Sequence, residues 1–164
     1  MKKLILFITL LFTLTLFGCV SDPNTYYFDS NILLSNTVKI ELVYYQNDAP
    51  EMIVVDQTDF PNFDYDRSMV IETLDSSLLE PFILELSLIT FHIQNKSSNS
   101  PVGNTLILHQ TNGNMIVISC TLIDGTAYSF VSTFDSDSHF IEHIARFADR
   151  PKFDEMLQKY FNSI

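Results

Sequence analysis

The sequence has few glycines and few basic residues, and each shortage excludes a class of function. Its 4 glycines stand far apart, at Gly18, Gly103, Gly113 and Gly125, so there is no glycine-rich loop to hold a nucleotide phosphate. Only 9 basic side chains stand against 20 acidic ones. Nucleic-acid binding needs a basic surface, because contacts to the phosphate backbone dominate the affinity. We therefore expect no nucleic-acid partner.

The start of the chain has the pattern of an export signal. Lys2 and Lys3 precede an apolar run at 4–17 that contains only Leu, Ile, Phe and Thr. These 14 residues are too few for a membrane-spanning helix, which needs about 20. They suit the apolar part of a secretory signal peptide, which is about 7–15 residues long. The run ends in Leu-Phe-Gly-Cys at 16–19, so we expect cleavage just before Cys19.

This tetrapeptide resembles the lipobox of bacterial lipoprotein precursors, in which a small residue precedes the modified cysteine. For that class, the resemblance implies loss of residues 1–18 and lipidation of Cys19 with a diacylglyceryl group and fatty acids such as palmitate. Two or three acyl chains anchor a protein stably, since each buried methylene contributes about 0.8 kcal/mol. The expected location is extracytoplasmic and lipid-anchored to a cell membrane, with the inner and the outer membrane both open.

Removal of the signal peptide would also change the charge and the cysteine count. Loss of Lys2 and Lys3 leaves 7 basic and 20 acidic side chains, a formal charge of −13. Such a body is repelled by anionic lipid and leaves open a basic protein partner, cations or plain solubility. With Cys19 lipidated, Cys120 is the one thiol left, so no intramolecular disulfide can form. We expect Cys120 to be a buried, inert thiol in a strand, and no cofactor besides the lipid.

The remaining chain predicts a lipidated N-terminus and tether at 19–35, followed by a single domain at 36–164. Alternation of apolar side chains predicts a strand over 37–45, and a second strand is expected over 69–73. Between them, an acidic segment at 46–67 is broken by two prolines. Ser77 and Glu80 have the spacing of a capping box, which predicts a helix whose apolar positions continue to Ile89.

The second half predicts a four-strand meander and a last helix. Asn112-Gly113 is the strongest hairpin signal in the chain, and an apolar stripe after Asp149 and Pro151 predicts the helix. The expected strands span 105–110, 115–122, 127–134 and 140–147. The fold class is therefore α+β, with two N-terminal strands, a helix and the meander forming an antiparallel sheet that has both helices on one face. In topology alone, this order resembles TATA-box-binding-like and helix-grip architectures.

One short pattern suggests metal chemistry. His139, Glu142 and His143 match the H-x-x-E-H motif of inverted zinc proteases. On a helix, both imidazoles would share one face and bind one zinc ion, with Glu142 as the base. The turn-like sequence at 135–138 instead predicts a strand over 139–147, on which the histidines face solvent. Zinc hydrolysis is therefore the minority hypothesis, and we expect no enzyme.

The acidic segment holds the residues that we select as a possible partner-binding site, Phe60, Phe63, Asp64, Tyr65 and Asp66. Aromatic side chains flanked by carboxylates suit contact with a basic, partly apolar partner. The same residues could instead fold back as a lid on the sheet edge. The leading hypothesis is a non-catalytic envelope lipoprotein that binds another envelope protein in an inhibitor, immunity or assembly role. The first alternative is a small-ligand-binding module with an apolar ligand between helices and sheet.

Overall fold

The computed structural model describes residues 24–45, 54–55, 69–92, 100–101, 105–123, 126–147 and 150–162. Within these ranges the helices are α1 (Ser30–Asn36), α2 (Leu79–Leu86) and α3 (Arg150–Tyr160), and a 3₁₀ turn (Ser76–Leu78) precedes α2. The strands are β1 (Thr25–Tyr26), β2 (Thr37–Tyr45), β3 (Val54–Val55), β4 (Met69–Thr73), β5 (Phe91–His92), β6 (Ser100–Pro101), β7 (Thr105–Gln110), β8 (Met115–Ile123), β9 (Thr126–Phe134) and β10 (Phe140–Phe147).

The strands form one antiparallel sheet in the order β1-β5-β10-β9-β8-β7-β2-β4, and β3 and β6 form a separate pair. The α+β class and the four-strand meander β7–β10 are confirmed, as are the strands over 37–45 and 69–73. Beyond the prediction, β1 and β5 extend the sheet past β10. Each contributes 2 residues, too few to show an alternating pattern in the sequence.

The three helices pack on one face of the sheet around a single apolar cluster. Each contributes buried side chains, such as Leu33 of α1, Phe82 of α2 and Phe153 of α3. Facing them are residues of the central strands, including Ile40 and Leu108, both at 0% exposure. The prediction that the helices share one face is therefore confirmed.

The other face of the sheet is also apolar at its centre. A second buried cluster there contains Val43, Ile107, Met115, Val117 and Phe134. Neighbours along one strand point to opposite faces, which is why Leu106 and Leu108 join the helix side while Ile107 does not. Strands buried on both sides read as continuous apolar runs, so the sequence alone did not separate the two faces.

Helix α1 corrects the predicted tether at 19–35. Asp29 caps the helix, since its Oδ1 accepts hydrogen bonds from the backbone N–H groups of Asn31 and Ile32 at 2.9 and 3.3 Å. Leu33 is 3% exposed and Phe28 is 4% exposed. The folded domain therefore includes residues 24–35, which the tether prediction placed outside it.

The start of α2 also differs from the prediction. The expected capping box of Ser77 and Glu80 does not form, and α2 begins at Leu79 without a side-chain cap. Asp75 instead caps the preceding 3₁₀ turn, where its Oδ1 accepts from the Ser77 backbone N–H at 2.8 Å and the Ser77 hydroxyl at 2.7 Å. Asp75 thus accepts from the Ser77 N–H to which Glu80 would bond in a capping box.

Candidate functional site

Most of the H-x-x-E-H segment lies on β10, as the turn-like sequence before it predicts, but His139 precedes the strand. The expectation that both histidines face solvent is wrong for His143, whose Nε2 is buried. In the pairing of β9 with β10, Glu142 is opposite Thr133 and His143 is opposite Ser132. Because Ser132 and Thr133 are consecutive in β9, they point to opposite faces of the sheet, and so do their partners. The carboxylate and the second imidazole are thus separated by the sheet, and the helical arrangement that the zinc motif requires does not form.

Each histidine of the segment has its own local partner. His139 follows the turn after β9, where its backbone N–H donates to Asp135 at 2.8 Å and its Nδ1 lies 3.3 Å from Asp135 Oδ2. The hydrogen bond from that N–H is the main cause that lowers the pKa of Asp135. His143 Nδ1 lies 3.0 Å from the Ser132 hydroxyl. Among the residues that the structure describes, no three or more His, Cys, Asp or Glu side chains come together in a group suited to a metal ion.

The other predicted site residues lie outside the described residues. These are the lipidation site Cys19 and the partner-binding set Phe60, Phe63, Asp64, Tyr65 and Asp66.

The residues that flank the acidic segment are described, and Tyr45 of β2 pairs with Met69 of β4. Tyr45 and Met69, which flank residues 46–68 in the sequence, therefore lie at the same end of the β2–β4 pair.

Strand β4 is the last strand of the sheet, and no described strand pairs with its outer edge. An unpaired edge presents a row of backbone N–H and C=O groups to which another chain can bind. Ile71, in the middle of this strand, is 51% exposed. We call β4 the edge surface. It combines backbone pairing groups with an exposed aliphatic side chain, and the acidic segment precedes it in the sequence.

A cleft of about 450 Å³ lies at the end of the sheet where α1 meets the β7–β8 hairpin. Its lining combines four carboxamide side chains, a threonine, a glutamate and three aliphatic side chains. We call it the amide cleft, and it is lined by Asn36, Gln110, Asn112, Asn114, Met115, Ile116, Thr133, Ile141 and Glu142. It could not be read from the sequence, because its lining comes from five separate elements, α1, β7, β8, β9 and β10, and from the turn between β7 and β8.

The geometry of the hairpin fixes part of this cleft. Gly113 has a φ of 85°, a left-handed conformation that favours glycine, and a Cβ there would come within 3.0 Å of Ser136 Cβ. The Asn36 carbonyl at the end of α1 accepts a hydrogen bond from the Thr111 N–H at 2.7 Å. The helix end and the two turns of the meander are thus held close together around the cleft.

Two carboxamide side chains of the cleft are held by hydrogen bonds, whereas one buried hydroxyl group has no hydrogen-bond partner among the described residues. Gln110 Nε2 donates to the Thr37 hydroxyl at 3.1 Å, and Asn36 Nδ2 donates to the Ile32 carbonyl at 2.8 Å. The Thr133 hydroxyl oxygen is buried and has no hydrogen-bond partner in the described part of the chain. Buried polar groups are nearly always paired. The cleft can therefore offer a fixed set of uncharged donors and acceptors to a polar ligand.

A polar cluster on the face of the sheet opposite the helices was also not predicted from the sequence. Glu41 lies between Lys39 Nζ, at 2.7 Å, and His109 Nε2, at 2.6 Å. Burial acts to raise the pKa of Glu41, but the hydrogen bonds and charges of Lys39 and His109 outweigh it and hold this pKa below its ordinary value. Only the β2–β7 register brings His109 beside Glu41, so the local sequence around either residue does not predict the contact.

No family model, curated protein or solved structure matches this chain. Within the described ranges, none of the helices has both the length and the apolar character that crossing a membrane requires.

Proposed function

We propose that the protein is a lipid-anchored envelope protein whose α+β domain binds another envelope protein without catalysing a reaction. Lipid on Cys19 holds it to the extracytoplasmic side of a membrane, and the edge surface contacts the partner. The observation that carries this proposal is that β4, a strand with an unpaired outer edge among the described residues, directly follows the acidic and aromatic residues at 60–66.

The chemistry of the edge surface favours a partner of a defined kind. An extended segment of the partner can add to β4 through backbone hydrogen bonds, with affinity from the main chain and specificity from side chains. Ile71 offers an apolar contact on this strand. Asp64 and Asp66 add negative charge just before it, which speeds association with a basic partner and excludes acidic ones. The proposed partner is therefore basic and partly apolar.

Crosslinking of the full chain in native membranes at low salt, followed by identification of the crosslinked protein, tests this proposal. We compare the unaltered chain with an Asp64→Asn/Asp66→Asn double variant and with Ile71→Lys. A near-stoichiometric partner whose yield falls at least about tenfold in both variants supports the proposal, since loss of a central contact costs about 2 kcal/mol or more. The matched control neutralises two exposed acidic residues elsewhere, Asp137→Asn and Glu155→Gln, and should keep the partner.

The same experiment distinguishes partner binding by residues 60–66 from the alternative that these residues cover the sheet edge as a lid. If residues 60–66 cover the sheet edge, the double variant should lower the melting temperature and change no crosslink. A partner that is captured equally well by all variants would contradict the edge surface, and the absence of any near-stoichiometric partner would remove the interaction proposal.

A small-ligand-binding module is the second candidate function, and the amide cleft favours it. The sequence suggested an apolar ligand between helices and sheet. That space is filled by side chains of the main apolar cluster, among them Phe82, Phe91 and Phe153, each at 0% exposure. A ligand therefore belongs in the amide cleft, whose volume lies within the range of about 300–1,000 Å³ that is typical of small-molecule sites.

A further inference from the structure

We infer that the amide cleft binds an uncharged saccharide. The inference rests on the second candidate function, the small-ligand-binding module, and is independent of the edge surface. In the sheet order, β7 is the cleft strand nearest to β4 and is separated from it by β2. Gln110 pairs with Thr37 at the start of β2, whereas β4 pairs with residues 41–45 of β2. A ligand in the cleft and a protein on the edge surface would therefore occupy different parts of the molecule.

The charge of the lining excludes anionic ligands. The described lining contains one carboxylate, Glu142, and no Lys, Arg or His. Phosphates and carboxylates are recognised by cationic side chains or by clusters of backbone N–H groups. A ligand for this cleft should therefore carry neutral donors and acceptors, including at least one hydroxyl or amide hydrogen that Glu142 can accept.

The carboxamides match the edge of a sugar ring. Each carboxamide offers both a donor and an acceptor, which is what a row of hydroxyl groups requires, because every hydroxyl donates one hydrogen bond and accepts others. Asn36 and Gln110 are oriented by hydrogen bonds from their amide nitrogens to Ile32 and Thr37. Each also carries a carbonyl oxygen, which can accept a hydrogen bond from a ligand hydroxyl.

The aliphatic side chains of the lining suit the C–H groups on the faces of a sugar ring. Met115, Ile116 and Ile141 lie among the polar residues of the cleft, and Ile141 is 50% exposed. A pyranose ring has hydroxyl groups at its rim and C–H groups on its faces, so it can contact amides and aliphatic side chains at the same time. A purely apolar ligand would leave the carboxamides and Thr133 without partners.

A peptide fits the cleft less well than a saccharide. Extended peptides are recognised mainly by backbone pairing with a free strand edge. In the cleft, Thr133 already pairs with Ile116 on one side and with Glu142 on the other. Recognition here must come from side chains, and a saccharide hydroxyl placed against Thr133 would supply the partner that its buried hydroxyl lacks.

Calorimetric titration of the full chain with cellobiose, maltose and N,N′-diacetylchitobiose tests the inference. The chain is held in a detergent without a sugar headgroup, because glycoside detergents would compete for the cleft. At least one of these neutral disaccharides should bind. Thr133→Val should weaken that binding roughly 3- to 10-fold, as expected for one hydrogen bond, and Glu142→Ala by about tenfold. Thr73→Val and Glu155→Ala alter exposed residues elsewhere and should leave the affinity unchanged.

Three results would overturn the inference, and they separate it from the function on which it rests. Binding that is the same in Thr133→Val and Glu142→Ala would place the sugar outside the cleft. If N-acetyl-dialanine amide binds and depends on these two residues while the disaccharides do not bind, the module binds a small ligand of another class. If neither kind of probe binds, both the saccharide inference and the second candidate function are wrong.

Discussion

At the scale of single residues, two threonines of the sheet differ in what their hydroxyl groups contact. The Thr37 hydroxyl accepts a hydrogen bond from Gln110 at 3.1 Å, whereas the buried Thr133 hydroxyl has no partner in the described ranges. An unpaired buried polar group costs about 1–3 kcal/mol, while its replacement by an apolar group of the same shape does not. We expect Thr133→Val to raise the free energy of unfolding by about 1 kcal/mol, as measured by urea denaturation.

The matched control is Thr37→Val, which removes a hydroxyl that is bonded. It should lower the free energy of unfolding by about 1 kcal/mol, since Gln110 then loses a partner. Destabilisation by both variants would mean that the Thr133 hydroxyl is satisfied in solution. Thr133→Val should thus raise the stability of the domain and lower the affinity of the proposed saccharide site. Such a trade-off between stability and binding is common where a buried polar group serves binding.

Glu41 leads to a prediction about pH. Lys39 and His109 hold the pKa of Glu41 below its ordinary value of 4.5. A carboxyl group whose pKa is lowered by folding stabilises the folded state above that ordinary value, and this contribution is lost as the pH falls below it. Because the Lys39 side chain is 45% exposed, solvent screens the pair and we expect no more than about 1 kcal/mol at pH 7.

Urea denaturation of the unaltered chain and of Glu41→Gln, at pH 7 and at pH 3, measures this contribution. The difference in unfolding free energy should be present at pH 7 and should shrink at pH 3, because protonation removes the charge on which it depends. It should also shrink in high salt. A difference that grows on acidification would show that Glu41 is not held by its cationic neighbours.

At the scale of elements, α1 is the segment where structure and sequence prediction disagree most. Leu33 is 3% exposed and contributes to the main apolar cluster, while its neighbour Ile32 is 60% exposed. Truncation of a buried leucine costs about 2–5 kcal/mol. We expect Leu33→Ala to lower the free energy of unfolding by that amount, Asp29→Ala by about 1 kcal/mol through loss of the cap, and Ile32→Ala by less than about 0.5 kcal/mol. Equal, negligible effects of all three would restore the tether prediction.

The reason for this disagreement is physical. In α1, Ser30, Asn31, Ser35 and Asn36 are weak helix formers, and the helix has 7 residues, so local preference does not specify it. Burial of Leu33 in the main apolar cluster specifies the helix instead, and other members of that cluster lie far along the chain. By contrast, each strand of the meander is long enough to show its own apolar pattern. Such strands could be predicted from the sequence alone.

The candidate sites also differ in whether local sequence or contacts between distant elements determine them. The strand over 140–147 could be predicted from the turn at 135–138, and with it the separation of Glu142 from His143. The amide cleft could not, since it depends on where the end of α1 meets the meander. The Lys39–Glu41–His109 cluster depends in turn on the register between β2 and β7. Local sequence specifies elements, whereas a site built across elements depends on the packing that brings them together.

At the scale of the whole molecule, the corrected start of the domain limits its distance from the membrane. If Cys19 carries the lipid, the stretch from Cys19 to Asn24 spans at most about 18 Å, since an extended chain covers no more than about 3.6 Å per residue. The folded domain of a mature chain with a formal charge of −13 is then held within about two Debye lengths of the lipid surface at physiological salt. The proposed partner should therefore be a membrane protein or a protein held close to the membrane.

This arrangement depends on Cys19, and its substitution is the decisive test of the anchor. The unaltered chain should be found in the membrane fraction and incorporate labelled palmitate, because two or three acyl chains bind a bilayer stably. Cys19→Ala removes the residue that is lipidated, so it should incorporate no label and should keep the larger mass of the uncleaved chain. Cys120→Ala is the matched control and should behave like the unaltered chain in label, mass and fractionation. Lipid anchoring would be contradicted by palmitate label that persists in Cys19→Ala. It would also be contradicted if the unaltered chain and Cys19→Ala were both cleaved, unlabelled and released from the membrane. Neither result would affect the proposals for the edge surface and the amide cleft.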